Sequence, residues 1–240
     1  MAFNRRTMIF FVLLIGVLAP IPIDEYAPSL PAMVGYFVSG HTMVFMHHWD
    51  AEEAMRIIER ERVNLTGGVP TIAWQLLDHP ARGDYDLSSL ELITYGGAPA
   101  APELVRRIHD EFGAAPGSGW GMTETMATVT GHVAEDYLTR PDSCGPPVAV
   151  ADLKIMSLDG TRELPVGEVG ELYAFGPMVA KGYWNRPDAT AESFVDGWMR
   201  TGDLARLDEE GFCYIVDRAK DMVIRGGENI YSSEVENVLY

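Results

Sequence analysis

A chain of 240 residues with 47% hydrophobic side chains has enough apolar surface to bury a core, which excludes an intrinsically disordered protein. It carries 18 basic and 35 acidic side chains, and the net charge of −17 repels phosphate backbones, so we expect no nucleic-acid partner. The two cysteines, Cys144 and Cys213, match neither a zinc-ligand spacing nor a dense disulfide framework. A reducing, cytoplasmic environment is therefore expected.

Residues 1–34 form an apolar leader in which two arginines precede an uncharged run, Met8–Ile23. Three interpretations are open: a membrane span or half-span, an export signal, or a segment buried within the protein. The run is short against the roughly 17 to 25 residues of a span, and Pro20 and Pro22 interrupt it. The composition favours membrane contact through residues 8–23.

The next part of the chain has the pattern of an α/β protein. Asp50 and Glu53 form a capping-box pattern at the start of an amphipathic helix. A buried strand then ends at Gly96–Gly97, and a helix follows with Pro102 near its start and Gly113 at its end. Strand, glycine turn and helix in this order indicate a sheet covered by helices.

From Val148 onward the pattern changes to short strands with turn residues between them, including a hairpin around Glu210–Gly211. After Asp217 come a charged link, a strand, a double-glycine loop and the first turns of a helix, where Ser233 and Glu236 form another capping box. The predicted parts are the leader 1–34, an α/β part 35–147, a β-rich subdomain 148–217 and the start of a further domain, 218–240.

The segment "GSGWGMTET", Gly117–Thr125, combines residues suited to a phosphate loop. Glycines let backbone N–H groups approach an anion, and Thr123 adds a hydroxyl donor. A carboxylate such as Glu124 is repelled by phosphate unless a cation lies between them, which indicates Mg²⁺. Trp120 offers either a face on which a base stacks or an ordinary core side chain.

Histidines occur close together at His41, His47 and His48. No acidic or cysteine partner stands at ligand spacing from them, so the pattern does not favour a metal centre.

Six motifs occur in order along the chain: "GVPT", "YGGAP", "GWGMTET", "GELYAFGPMVAKGYWNRPDAT", "WMRTGDLA" and "VDRAKDMVIRGGENIYSSEVE". Together they resemble the adenylate-forming superfamily, which includes acyl-CoA synthetases, nonribosomal-peptide adenylation domains and firefly luciferase. The resemblance covers roughly Gly35 to Tyr240 and is nearest to the fatty-acyl and aryl-CoA ligases. The resemblance implies a partial α/β large domain of this superfamily, a β-rich subdomain and a truncated C-terminal α/β domain.

The family reaction has two steps. A carboxylate attacks the α-phosphate of ATP to give acyl-AMP and pyrophosphate, and the thiol of CoA then displaces AMP. The resemblance thus implies a small carboxylic acid, ATP, CoA and Mg²⁺ as the molecules bound.

The resemblance also assigns residues around the base and the phosphates, of which Trp120 supplies the stacking face. Thr123 would donate to the α-phosphate and Glu124 would help to hold Mg²⁺, which makes these two the catalytic candidates. The cofactor-binding positions in this group are Gly96, Gly97, Ala98, Trp120 and Gly121.

A second group follows later in the chain. Asp203 would accept from the ribose hydroxyls, and Arg218 would bind the same sugar. Lys220 matches the family's hinge, about which the small C-terminal domain rotates between the two half-reactions. The loop that swings toward CoA would contain Arg225, Gly226 and Gly227.

Two family elements have no counterpart in the 240 residues. One is the upstream Ser/Thr/Gly-rich loop with a lysine that binds the β- and γ-phosphates, and the other is the catalytic lysine near the end of the C-terminal domain. A cation at developing charge commonly contributes several kcal/mol to catalysis, so we expect this chain to bind adenylate weakly and to be impaired in adenylation.

The leader resembles instead, over "IPIDEYAPSLPAM", the first span of drug-efflux transporters. This predicts that two unrelated beginnings join near Pro31–Val34. Two alternative functions follow: a non-catalytic protein that associates with a full-length ligase, or a membrane-tethered protein built on the ligase fragment.

Overall fold

The computed structural model describes residues 7–10, 38, 40–46, 48–97, 100–126, 128–225 and 228–230. They belong to two compact units, Met1–Asp142 and Ser143–Tyr240. The four-part division drawn from the sequence stays a prediction.

The first unit contains a six-stranded sheet in the order β2-β1-β3-β4-β5-β6. Strands β1 to β5 pair in parallel, and β6 is antiparallel to β5. The strands are β1 Thr7–Phe10, β2 Thr42–Phe45, β3 Leu65–Gly68, β4 Leu92–Tyr95, β5 Ala115–Trp120 and β6 Thr130–Val133. Because parallel strands run in one direction, the carboxyl ends of β3, β4 and β5 meet at one edge of the sheet.

Strand β1 belongs to the sheet of the first unit although it lies before residue 35. Its backbone pairs on both sides, with β2 from Thr7 to Phe10 and with β3 from Met8 to Phe10. A strand within the sheet favours, for these residues, the interpretation of a segment inside the protein over that of a membrane span. The rest of the leader, including the predicted junction at Pro31–Val34, lies outside the described residues. Among the residues that are described, no helix is long and apolar enough to cross a membrane.

Within the described residues, the helices that accompany the sheet include α1 Ala51–Glu61, α2 Pro70–Leu77, α3 Pro102–Phe112 and α4 Ala134–Thr139. Helix α1 begins where predicted, because the Asp50 carboxylate accepts a hydrogen bond from the Glu53 N–H at 2.8 Å. The Glu53 carboxylate contacts Arg56, so the second bond of the predicted capping box is replaced by an ion pair. Helix α3 also has its predicted ends, with Pro102 in the first turn and Gly113 in the left-handed C-cap at φ 66°.

The helices bury one face each against the sheet. On α1 the buried side chains recur at helical spacing, as Ala54, Met55 and Ile58. They join Leu76 of α2 and buried residues of α3 in a single hydrophobic core. This core fixes the strands whose ends carry the candidate site.

The second unit is mainly antiparallel β-structure. Its larger sheet has the order β11-β10-β8-β7, with β9 paired to β10. A predicted hairpin joins β10 to β11, and Gly211 takes φ 86° in its turn. The elements are β7 Asp152–Met156, β8 Gly170–Phe175, α5 Pro187–Ser193, β9 Phe194–Val195, β10 Trp198–Leu207, β11 Cys213–Arg218, β12 Val223–Arg225 and β13 Glu228–Ile230. The helix predicted around Ser233 and Glu236 lies outside the described residues.

Candidate functional site

The carboxyl ends of β3, β4 and β5 bring two of the sequence motifs together. Gly68 at the end of β3 is in register with Tyr95 of β4, which is in register with Ser118 of β5. A Cβ placed on Gly96 would lie 3.5 Å from the Gly119 carbonyl oxygen. The glycine turn after β4 is therefore adjacent to the segment that precedes Trp120.

Tyr95 is the last residue of β4 and directly precedes the Gly96–Gly97 turn. Its ring is buried and lies 5.9 Å from the ring of Tyr137 on α4. Burial, together with the neighbouring Tyr137, raises the pKa of the Tyr95 hydroxyl far above its ordinary value, so the group stays neutral. Gly97, two residues on, has φ 77°, a conformation that favours glycine. The next predicted site residue, Ala98, lies outside the described residues.

Two glycines of "GSGWGMTET" do not belong to a phosphate loop, which corrects the sequence interpretation. Gly117 and Gly119 lie within β5. A Cβ on Gly117 would approach Thr94 Cγ2 to 2.9 Å, and one on Gly119 would approach the Thr130 carbonyl oxygen to 2.5 Å. These glycines allow close packing of neighbouring strands, and Gly121 is the glycine of this segment that remains beyond the strand.

The turn after β5 is closed at its base. The Trp120 N–H donates to Thr130 Oγ1 at 3.1 Å, and the Val129 N–H donates to the Trp120 carbonyl at 2.9 Å. Trp120 itself is half-buried at the end of the strand. The segment between these two contacts therefore leaves and re-enters the sheet at one point.

A single short turn, Thr123–Thr125, carries both catalytic candidates. The buried Thr125 hydroxyl donates to the Met122 carbonyl and accepts from the Met122 N–H, each at 3.0 Å. Thr123 is exposed and Glu124 is half-buried. Thr125 thus fixes the turn that carries Thr123 and Glu124, a positioning role that sequence reasoning missed. The capping pattern of a threonine three residues after Met122 is the signal that could have shown it.

In the second unit, Asp203 and Arg218 are brought face to face. They are register partners on β10 and β11, and Arg218 Nε lies 3.9 Å from Asp203 Oδ1. The Arg218 side chain is 65% exposed, whereas that of Asp203 is 16% exposed. The carboxylate is therefore sheltered and the guanidinium is largely exposed.

A bulge aims Asp203. The register between β10 and β8 shifts between Arg200 and Leu204, and Gly202 takes φ 74° there. The Thr201 hydroxyl donates to the Leu172 carbonyl at 2.7 Å and accepts from the Asp203 N–H at 3.1 Å. Bulges re-aim side chains in this way near functional sites. Thr201 is a second positioning residue that the sequence motif contains but that sequence reasoning did not single out.

The remaining predicted residues lie farther along the second unit. Lys220 is exposed in the turn after β11, where the Asp221 N–H donates to the Arg218 carbonyl at 3.0 Å. Arg225 is the last residue of β12, and the structure gives its backbone position only. Gly226 and Gly227 lie outside the described residues.

The donor set suits a magnesium ion held mainly by phosphate better than a protein-enclosed metal. Within the described part of the chain, no three histidine, cysteine or acidic side chains converge on one point. Glu124 offers one carboxylate beside the Thr123 hydroxyl. Mg²⁺ is commonly held by one or two carboxylates together with substrate phosphates, so these residues fit that ion.

Residues 26–184 match the family model described as AMP-binding enzyme. The chain is 42% identical over 207 residues to a feruloyl-CoA synthase of an Amycolatopsis species, covering 85% of this chain and 41% of the relative. It is 40% identical over 203 residues to a medium/long-chain-fatty-acid–CoA ligase of Mycobacterium tuberculosis, covering 84% of this chain and 35% of the relative. The chain thus spans about two fifths of the length of these curated relatives.

The fold agrees with solved structures of related enzymes. The o-succinylbenzoate coenzyme A synthetase of Bacillus subtilis superimposes with a TM-score of 0.84 at 32% identity, covering 99% of this chain and 47% of that one. The predicted α/β fold of a partial adenylate-forming large domain is confirmed.

Proposed function

Because the chain belongs to the AMP-binding enzyme family, as its motifs predicted, we propose that it binds adenosine nucleotides as part of an acid–CoA ligase. The whole ligase would activate a fatty or aryl carboxylic acid through acyl-AMP. The observation that carries the proposal is the adjacency, at the carboxyl edge of the sheet, of the Gly96–Gly97 turn and Ser118–Gly119, which lead into Trp120. Open α/β sheets bind ligands at this edge.

Solved structures of relatives support the proposal that the ligand is an adenosine nucleotide. The Bacillus subtilis synthetase has been solved with ATP and magnesium ion, with AMP, and with its acyl-adenylate intermediate. The curated relatives are named as a medium/long-chain-fatty-acid–CoA ligase and a feruloyl-CoA synthase. We carry over to this chain the nucleotide and the reaction class, and leave the acid unspecified.

In the first unit, each residue of the turn has a separate task. The Trp120 ring stacks against adenine from the end of β5. The exposed Thr123 hydroxyl donates to an oxygen of the α-phosphate, and Glu124 holds Mg²⁺. Bound there, the ion neutralises phosphate charge as it develops. Thr125 keeps the two side chains in place through its paired bonds to Met122.

In the second unit, the sheltered Asp203 carboxylate accepts hydrogen bonds from the ribose hydroxyls. The bulge pinned by Thr201 sets its direction, and partial shelter strengthens such charge-assisted bonds. Arg218, which stands opposite on β11, contacts the same sugar. Lys220 and the Arg225–Gly227 loop serve the later CoA step.

A polypeptide of these 240 residues is impaired in adenylation, because neither the triphosphate-binding lysine nor the catalytic lysine of the family occurs in it. Pyrophosphate exchange into ATP in the presence of carboxylic acids tests this part of the proposal. We expect exchange near background, and robust acid-dependent exchange would refute the impairment. Neither membrane contact through residues 8–23 nor association with a full-length ligase is supported by any described residue, and a cytoplasmic location stays a prediction.

Calorimetric titration with AMP tests nucleotide binding. Base stacking on an aromatic side chain contributes about 1–3 kcal/mol, so Trp120→Ala should weaken AMP about tenfold or more. Trp120→Phe, which keeps a flat ring, should retain most of the affinity. Trp184→Ala is the matched control, because Trp184 is 96% exposed and lies in the other unit. If the wild type and Trp120→Ala bind AMP with equal affinity and have the same urea midpoint, Trp120 does not contact the nucleotide.

A further inference from the structure

The fold brings the chain's two cysteines together although 69 positions separate them. The Cys144 N–H donates to the Cys213 carbonyl at 2.9 Å, and the Cys144 thiol donates to the same oxygen at 3.3 Å. The Cys213 N–H in turn donates to the Gly145 carbonyl at 3.1 Å. Two residues of one segment thus face a single residue of β11, the arrangement of a β-bulge.

The Cys144 thiol lies against the backbone of Cys213, as its 3.3 Å contact to the Cys213 carbonyl oxygen shows. The neighbouring Cys144 side chain, followed by burial, raises the pKa of the Cys213 thiol well above its ordinary value. Ser143 secures the approach, since its hydroxyl donates to the Cys213 carbonyl at 2.8 Å and accepts from the Gly145 N–H at 2.9 Å. The segment 143–145 is therefore held against β11 at Cys213.

The two cysteines differ in their access to solvent. Cys144 is half-buried, whereas Cys213 has no exposed surface. A small polar oxidant would therefore meet Cys144 first, and Cys213 would act from within the protein. Reactive cysteine pairs commonly combine one accessible thiol with a resolving partner in this way.

We propose that Cys144 and Cys213 form a reversible oxidation site at which hydrogen peroxide, or another small hydroperoxide, converts the two thiols to one intrachain disulfide. The site is separate from the proposed nucleotide binding and does not depend on it. It also revises what the sequence indicated, because spacing along the chain gave no sign of a pair.

With hydrogen peroxide as the oxidant, one molecule balances the reaction; another hydroperoxide would release an alcohol in place of the first water. The Cys144 thiolate attacks one peroxide oxygen, so that an S–O bond forms, the O–O bond breaks and hydroxide leaves to take up a proton as water. The Cys213 sulfur then loses its proton and attacks the Cys144 sulfur, and the S–O bond breaks with release of a second water. Two thiols are oxidised and one peroxide is reduced.

The cross-link would tie the start of the second unit to the first residue of β11. Closing a loop of this length restricts the unfolded chain, so the oxidised protein should melt at a higher temperature than the reduced protein. Because Cys213 is buried and its thiolate is disfavoured, we expect the second step to be the slow one.

The test treats the purified 240-residue chain with excess hydrogen peroxide and follows intact mass and free thiols after unfolding. We expect both thiols to disappear together, the mass to fall by two hydrogen atoms and a peptide map to join Cys144 to Cys213. Dithiothreitol should restore the starting mass. A wild-type chain that gains oxygen atoms without an intrachain cross-link, or that cross-links only to a second chain, would overturn the proposal.

Two serine variants assign the roles. In Cys213→Ser, Cys144 should stop at the sulfenic acid and be trapped by dimedone. In Cys144→Ser, Cys213 should oxidise roughly tenfold more slowly than Cys144 does in the other variant. Equal rates in the two variants would contradict the order of the steps. The wild-type mass measurement needs neither variant, so it decides the disulfide even if one of them folds poorly.

Discussion

The two units hold their candidate residues in different ways. In the first unit the residues follow the ends of parallel strands, and the backbone carries them: Gly97 in a left-handed conformation, and Thr123 and Glu124 on a turn fixed by Thr125. In the second unit Asp203 lies within a strand, and a neighbouring side chain, Thr201, aims it. The first arrangement depends on the packing of the sheet, and the second depends on a local bulge.

This difference predicts how substitutions will act. Changes around β5 should disturb the fold and the ligand site together, because the glycines that let strands approach also lead into the Trp120 turn. Changes at Asp203 should weaken ligand binding with little loss of folding stability. The ion pair between Asp203 and Arg218 is long, and the Arg218 guanidinium is largely exposed.

The largest effect should come from Gly119→Ala. The added methyl group would lie 2.5 Å from the Thr130 carbonyl oxygen, which is backbone and cannot rotate away. We expect the free energy of unfolding to fall by about 3 kcal/mol. Urea denaturation followed by circular dichroism measures it.

Gly131→Ala is the matched control for that experiment. Gly131 is the register partner of Gly119 on β6, but its Cβ would meet the nearest atom at 3.7 Å, an ordinary contact. The control should stay within about 1 kcal/mol of the wild type. If Gly119→Ala and Gly131→Ala lower the free energy of unfolding equally, crowding between β5 and β6 does not explain why residue 119 is a glycine.

A smaller effect, confined to binding, is expected for Asp203→Asn. The amide accepts more weakly than the carboxylate and has lost its charge, so AMP affinity should fall about tenfold, or about 1.4 kcal/mol. The urea midpoint should move by little, because the ion pair with Arg218 is long at 3.9 Å and its Arg218 side is 65% exposed, so that it contributes about 1 kcal/mol at most. Asp188→Asn, at an exposed acid paired with Arg186, should leave both quantities unchanged. A loss of stability as large as that of Gly119→Ala would erase the distinction between the units.

The smallest expected effect is on the pH dependence of folding stability. The Arg107 guanidinium, and after it Arg82, lowers the pKa of Glu111 from 4.5 to about 2. A depressed carboxyl pKa stabilises the fold above the ordinary value, and that contribution is lost as pH falls from 4.5 toward 2. Glu111→Gln should therefore reduce the stability of the first unit at neutral pH by a few tenths of a kcal/mol, with a smaller difference near pH 2.

Unfolding free energies measured against pH test this expectation. Glu103→Gln is the control, because Glu103 lies on the same helix and pairs with Arg106 where both side chains are more than half exposed. Its curve should run parallel to that of the wild type. Parallel curves for both variants would show that the Glu111 contacts contribute nothing to acid sensitivity.

Local rules predicted the ends of elements well. Asp50 caps α1, and Pro102 and Gly113 bound α3, because each of these residues acts within a few positions of itself. The β10–β11 hairpin was predicted for the same reason. Local rules do not predict a ligand. The prediction that the ligand is an adenosine nucleotide, and the prediction of which residues bind it, came from the family motifs.

What the sequence did not show depends on partners far along the chain. Gly119 looks like a loop residue until Thr130 is seen beside it. Cys144 looks solitary until the fold places it against Cys213. The leader looked apolar enough for a membrane, but hydropathy does not distinguish a span from a strand such as Thr7–Phe10 that pairs on both sides within a sheet.

The segment between Trp120 and Val129 has one more consequence. Its two ends meet in a backbone hydrogen bond of 2.9 Å, which closes the segment independently of the side chains exposed within it. We therefore expect exposed residues such as Thr123 to be replaceable with little effect on the pairing of β5 and β6. A chimera that receives the corresponding segment of another ligase, with Thr125 kept, should retain an intact sheet.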